Sequence, residues 1–355
     1  MPTYDKLALG RKSRELGFVR DAFEKMTRLT EFLQFINAEP ELSPALALKG
    51  GTSINLTVFN LPRLSVDIDL DFAENLTKDE TAVKRERINE LIGRYAVNEG
   101  YTLKNKSKHT HALDSFVYSY TNAAGNPDNI KVEINYILRC HALPIVEVTA
   151  NTGGIFTNFS VHTLSPVEIF ASKIVALSDR AAPRDLYDLN NMVYFGLFDE
   201  PDIILLRKCA VFYMAVAGEI SAQGISFARI SEITPYKVKT DLFPMIRNTE
   251  KFDLPAACDR VSVFLNEWMA LTEKESVFLK HFAAGSYEPQ LLFDDDEIAK
   301  RIENHPMALW RRRAVVSGCD IVASDIYWRI RACRIICAAD ASVFIRKRSA
   351  DSVCY

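Results

Sequence analysis

Apolar positions at Val19, Phe23, Met26, Leu29, Leu33 and Ile36 recur every three or four residues, and this spacing predicts an amphipathic helix over 16–36. The polar run "NAEPEL", with Pro40, closes it. "LALKGGTSINLTVF" then predicts a short apolar lead, a glycine turn at Gly50 and Gly51, and a helix. "RLSVDIDLDF" alternates polar and apolar residues in its second half, which predicts a strand. "TKDETAVKRERINELIGRYAVNEG" predicts a charged helix ending at Gly100. "SFVYSYTNAAGNPDNIKVEINYILR" predicts two strands around a Gly-Asn-Pro-Asp turn. A further strand is expected in "LPIVEVT". Up to residue 162 the order is α+β. Beyond Ser165, a candidate N-cap followed by Pro166, the periodicity predicts helices at 167–180, 184–196, 202–221, 256–272 and 275–284. The expected organisation is therefore an α+β domain over 1–164 with a small mixed sheet flanked by helices, a mainly helical domain over 165–313, and an extension over 314–355.

Composition changes this picture little. The chain has 355 residues, a formal net charge of -3 and 25% charged residues, so any attraction for nucleic acid must be local. The longest apolar run, near "AVFYMAVAG", is under half of the ~20 residues needed to span a bilayer. The first residues are charged and lack an apolar signal core, so the expectation is a cytoplasmic protein with no membrane partner. Seven cysteines, irregularly spaced and without a CxxC pair, fit free thiols better than a disulfide frame or a zinc site. From Arg311 onward the chain carries nine Arg or Lys against four Asp. "YWRIRACRIICAA" in that region mixes aromatics with Arg, as an RNA contact or a packed amphipathic helix would.

The chemistry concentrates in "GGTSINLTVFNLPRLSVDIDLDF". On a strand, Asp67, Asp69 and Asp71 project from one face, and Ile68, Leu70 and Phe72 from the other. Neighbouring carboxylates repel unless a cation sits between them, and hard divalent cations prefer oxygen ligands. Gly50 and Gly51 let the backbone approach a ligand closely, a helix N-terminus offers N–H groups to phosphate, and Thr52 and Ser53 add hydroxyls. Ser65 projects from the same side as the acids, where an added phosphate would compete with a triphosphate.

A glycine turn, a spacer and a strand with alternating acids resemble the nucleotidyltransferase signature. "LALKGGTSINL" followed by "NLPRLSVDIDLDF" closely resembles the AbiEii/AbiGii toxin family of nucleotidyltransferase-like proteins. The resemblance covers about 10–313 and is strongest over 47–72 and 164–190. It implies a nucleotidyltransferase-type N-terminal domain and assigns Asp67 and Asp69 as the metal-binding pair. Asp71 is read as a solvated strand end. A third acid is commonly supplied by a neighbouring strand, and "NIKVEINYI" offers Glu133 on a face with Lys131 and Asn135. In "LSPVEIFASKIVALSDRAAPRDLYDL", Lys173 lies at the edge of an apolar stripe, so its ammonium is expected to look into a cleft. Family members carry a lysine there and an "RD-x-x-D" run after it, here Arg184, Asp185 and Asp188. Asp185 and Asp188, sharing a helix face, would orient the lysine or the nucleotide.

The resemblance thus implies a Mg²⁺- or Mn²⁺-dependent nucleotidyltransferase acting as a toxin, paired with an antitoxin, in phage defence or growth control. Gly50, Gly51, Thr52, Ser53, Lys173 and Asp185 would bind the NTP. Asp67, Asp69 and Glu133 would hold metal, with Lys173 and Asp188 completing the catalytic set. RNA, with the tRNA 3′ end favoured, is the implied acceptor. The alternatives are NMP transfer to a protein, a non-catalytic nucleotide- or RNA-binding module, and an adaptor role for the C-terminal helices. The six histidines show no HExxH spacing, and no GxSxG elbow is present. His109 and His111, beside Lys104, Lys106 and Lys108, are read as a solvated strand or loop. "DDDE" at 294–297 is read as an exposed turn or helix start.

Overall fold

A computed structural model describes residues 4–152, 154, 157–218, 220 and 224–316. The readings of the basic extension therefore fall almost wholly outside the described residues. Two helices open the chain, α1 (Lys6–Leu16) and α2 (Arg20–Ala38). The helix expected over 16–36 starts later because Gly17, at φ 80°, closes α1 in a left-handed conformation. Val19 consequently caps α2 and is exposed instead of joining the apolar stripe.

There follow β1 (Leu46–Lys49), a one-turn α3 (Gly50–Ser53) running into a π turn (Ile54–Val58), and β2 (Asp67–Phe72). Helix α4 (Lys78–Asn98) starts at a capping box in which Thr77 and Glu80 satisfy each other's backbone N–H. The strands β3 (Thr102–Leu103), β4 (Lys108–His109), β5 (Leu113–Thr121), β6 (Pro127–Asn135), β7 (Val146–Ala150) and β8 (Phe159–Thr163) complete one mixed sheet. Its order is β3-β5-β6-β2-β1-β8-β7, with β4 also on β5. The β5–β6 turn lies earlier than expected. Asn122 Oδ1 accepts from the Ala124 and Asn126 N–H groups and closes the loop, so Pro127 and Asp128 already belong to β6.

Ile68, Leu70, Phe72, Val132 and Ile134 form the buried face of the sheet, against Leu29, Phe32, Leu33 and Ile36 of α2 and Ile88, Leu91 and Ile92 of α4. Each such side chain contributes about 1.5–3 kcal/mol when removed from water. This face fixes the strand register, because a one-residue slip would turn the acids into this apolar core instead.

The rest of the described chain is helical: α5 (Pro166–Arg180), α6 (Pro183–Tyr194), α7 (Glu200–Ala217), α8 (Pro235–Lys237), α9 (Leu254–Trp268), α10 (Glu273–Ala283), α11 (Asp296–Ile302) and α12 (Pro306–Val316). Val167, Phe170, Ile174 and Leu177 form the expected apolar stripe of α5, and it packs into a core that reaches back to Ala47 and Ile54. That contact holds α5 and α6 beside the acidic face of the sheet. Among the described residues, no helix is long and apolar enough to cross a membrane.

Candidate active site

Three strands set the acids in rows. Antiparallel pairing of β1 with β2 puts Lys49 opposite Asp69, and parallel pairing of β2 with β6 puts Asp69 opposite Glu133 and Asp67 opposite Lys131. Register partners share a face, so Asp67, Asp69, Glu133, Lys131 and Lys49 form one polar patch on the side away from the α2–α4 core. Glu133 is 3% exposed and Asp67 9%. Burial pushes the Asp69 carboxyl up to about 7, reinforced by the charges of Glu133 and Asp67. Lys131 Nζ lies 2.8 Å from Glu133 Oε2, while Glu133 Oε1 is buried without a hydrogen-bond partner. An orphaned buried carboxylate oxygen beside two further acids has the donor chemistry of a hard divalent cation site. Among the described residues, no group of three or more His, Cys, Asp or Glu side chains is placed so that it could hold a metal ion. Asp71 differs from its expectation. It is not a solvated strand end but 1% exposed, and it is ion-paired to Lys49, which reaches diagonally across the strands.

The glycine turn abuts this patch. Gly50 has φ 69°, and a Cβ there would lie 2.6 Å from Asp69 Oδ2. A Cβ on Gly51 would lie 2.6 Å from Arg63 Nη2 and 3.1 Å from Ser65 Oγ. Both positions thus favour glycine, so that backbone can sit against these side chains. The hydroxyls of Thr52 and Ser53, expected to face phosphate, turn inward instead. Thr52 donates to the Asp67 carbonyl, and Ser53, fully buried, lies 2.6 Å from Thr163 Oγ1. They tie the turn to the sheet, leaving the glycine backbone as the part of the turn that can meet a ligand.

Helices α5 and α6 bring Lys173, Asp185 and Asp188 together. Lys173 Nζ is 2.8 Å from Asp185 Oδ1 and 3.0 Å from Asp188 Oδ2. The expected open-cleft ammonium is therefore held between both acids of the "RD-x-x-D" run, and the side chain is buried. Arg180 Nη2 reaches Asp185 Oδ2 at 2.5 Å, and Arg63 clamps Asp188 through Nε at 2.8 Å and Nη2 at 2.7 Å. Burial alone would raise both acids. Arg180 and Lys173 overcome it at Asp185, and Arg63 and Lys173 at Asp188, so both carboxyls are held low. Three cations around two anions leave one net positive charge beside the glycine turn.

Arg63 is a site residue that the sequence does not mark. Nothing local marks it, since "PRLSVD" looks like an ordinary polar strand entry and its partner is distant in the chain. Its burial at 2% exposure is the signal, and only tertiary structure shows it. His109 pairs with Asp114 on the far side of β5 from this patch, with Nδ1 2.7 Å from Oδ1. In "DDDE", Asp295 caps α11 and Asp294 pairs with Lys208 and Lys274, as an exposed helix start would.

The family model described as nucleotidyl transferase AbiEii toxin, type IV TA system, matches residues 32–262, more than half of the chain. No curated protein matches the sequence. Among solved structures the chain is similar to MenT4, a nucleotidyltransferase toxin from Mycobacterium tuberculosis H37Rv. The TM-score is 0.58 at 17% identity, covering 86% of this chain and 99% of that one. At this identity the likeness concerns the fold.

Proposed function

The chain belongs to the AbiEii family of nucleotidyltransferase toxins of type IV toxin–antitoxin systems, and from that premise we propose that it transfers NMP from an NTP to RNA, with a tRNA 3′ end as acceptor. The observation that carries this reading is the juxtaposition of Asp67, Asp69 and Glu133 with the Gly50 backbone, close enough that a Cβ would strike Asp69. Phosphoryl-type transfer needs positioning and charge neutralisation more than covalent help from the protein. Backbone at Gly50–Gly51 would receive the triphosphate, and the net positive network of Arg63, Lys173 and Arg180 would draw it there.

Asp67 and Asp69, with Glu133, would hold Mg²⁺ or Mn²⁺. Such an ion, when bound, supplies Lewis-acid stabilisation of charge on the phosphate oxygens. In the transfer, an acceptor hydroxyl oxygen bonds to the α-phosphorus as the bond to pyrophosphate breaks. Glu133 Oε1, which has no partner, would complete the cation's ligands or take the hydroxyl proton. Asp185 and Asp188 would act through Lys173 and Arg63 and not on the nucleotide directly. In the proposed organisation, residues 1–164 carry the metal and glycine elements and 165–313 supply the cationic wall. A cognate antitoxin would restrain the activity, and growth control or phage defence would be its use.

Incubation with each α-labelled NTP, Mg²⁺ and total RNA tests the reading. Label on RNA of tRNA size is the expected result. Label on an RNase-resistant protein band would replace RNA by a protein acceptor, and no label with any NTP would overturn transfer altogether.

A further inference from the structure

We propose that the cavity between α2, the end of α4 and β5, walled by Tyr4, Tyr95, Tyr101 and Tyr120 and edged by Glu31 and Glu99, is a second binding site, for an organic cation bearing ammonium or guanidinium groups. It belongs to the α2–α4 side of the sheet, and the acid row of Asp67, Asp69 and Glu133 to the other. The cavity holds about 460 Å³, and small-molecule sites span roughly 300–1,000 Å³.

Arg28 shows how these walls treat a cation. Its guanidinium carbon lies 3.7 Å from the centre of the Tyr4 ring and 4.1 Å from that of Tyr120, and the faces of aromatic rings attract cations. Arg28 also donates to Glu24 Oε1 through Nε at 3.0 Å and Nη2 at 2.8 Å, so its charge is neutralised within the wall. Tyr95 is held in place by stacking on Phe35, with ring centres 4.0 Å apart.

Glu31 and Glu99 are the acids left over. Glu31 accepts the Tyr4 hydroxyl, and Glu99 Oε2 is buried without a hydrogen-bond partner. Among the described residues, no lysine or arginine lies within ion-pair distance of either. Burial pushes the Glu31 carboxyl up and the Glu99 charge adds to this, against the pull of the Tyr4 hydroxyl and of Arg28. A cation in the cavity would relieve both acids and give the orphaned oxygen a donor. A hard metal ion wants about six oxygen ligands. Ring faces instead suit a cation on a carbon stem, which buries its CH₂ groups while its head meets the carboxylates. A free polyamine and a lysine or arginine side chain of a protein partner share this chemistry.

Isothermal titration calorimetry of the purified full chain with spermidine, and separately with N-acetyl-arginine methylamide, tests the site. One molecule of at least one probe should bind per chain. Tighter binding of spermidine assigns the cavity to a free polyamine, and tighter binding of the arginine derivative assigns it to a partner's side chain. Glu99→Gln keeps the shape and removes the charge, and it should weaken binding roughly tenfold or more. Glu31→Gln should act in the same direction. Circular dichroism confirms that each variant is folded, and Glu99→Gln carries the test if Glu31→Gln is not. The Asp67→Asn, Asp69→Asn double variant should bind as the wild type does, so the result is independent of NMP transfer. Binding of neither probe, unchanged affinity in folded Glu99→Gln, or loss of binding in the Asp67, Asp69 double variant would overturn the proposal.

Discussion

Arg63 and Asp188, 125 residues apart, form a two-pronged pair, with Nε and Nη2 donating at 2.8 and 2.7 Å to the two carboxylate oxygens. Both side chains are at most 2% exposed. The pair fastens the entry of the acidic strand to α6. Asp188→Ala should cost about 3–5 kcal/mol, because the Arg63 charge is left buried, and Arg63→Ala should cost less, because Lys173 still pairs with Asp188. Urea unfolding should show the Arg63→Met, Asp188→Leu double variant losing less than the sum of its single changes.

Gly50→Ala should damage activity more than stability. A left-handed φ costs an alanine about 1–2 kcal/mol, and the new Cβ would also push Asp69 out of the row, from 2.6 Å. Transfer should fall by roughly a hundredfold or more while the melting point falls only modestly. Equal loss in both would mean that the turn matters for folding alone.

Asp67→Asn and Asp69→Asn should each reduce transfer by more than ~100-fold, the upper range for residues one layer further from a metal. Neither should lower the melting point in the absence of metal, and Asp69→Asn should raise it, since burial and two like charges already disfavour ionised Asp69. Near-normal turnover by either variant would remove it from the metal site.

Lys173→Met leaves Asp185 with Arg180 and Asp188 with Arg63, so folding should survive. The KM for NTP should rise roughly tenfold, the worth of one charge-assisted interaction, with a smaller change in kcat. An unchanged KM would confine Lys173 to holding the two acids.

Glu168 should give stability a measurable pH dependence. Burial pushes its carboxyl up to about 7, against the opposing pull of the Tyr213 hydroxyl and the Ala142 and Leu143 N–H groups. The folded value lies above the unfolded 4.5, so the folded state binds the proton more tightly. This contribution is complete below pH 4.5 and is lost as pH rises to about 7, with a slope of at most ~1.4 kcal/mol per pH unit. Glu168→Gln should flatten that slope in unfolding experiments across the same window. An unchanged slope would place the titration elsewhere.

Along the chain, the elements with strong local periodicity were legible. The alternation in β2, the stripe of α5 and the capped start of α4 depend on nearest neighbours and on one buried face, so their positions follow from residue order. The resemblance of 47–72 to a known signature pointed to Asp67 and Asp69 as candidate metal ligands, because such a strand carries its acids at a spacing of two. Tertiary structure alone decided which polar groups satisfy one another. Asp71 looked solvated because alternation places it with the acids, yet Lys49 reaches diagonally from β1 to bury with it. Thr52 and Ser53 looked available, yet their hydroxyls bind the sheet that runs beneath the turn. Arg63 carried no local mark, and its role exists only because α6 returns Asp188 to it. Burial and pairing of charge are properties of segments far apart in sequence, whereas hydrophobic period is a property of adjacent residues.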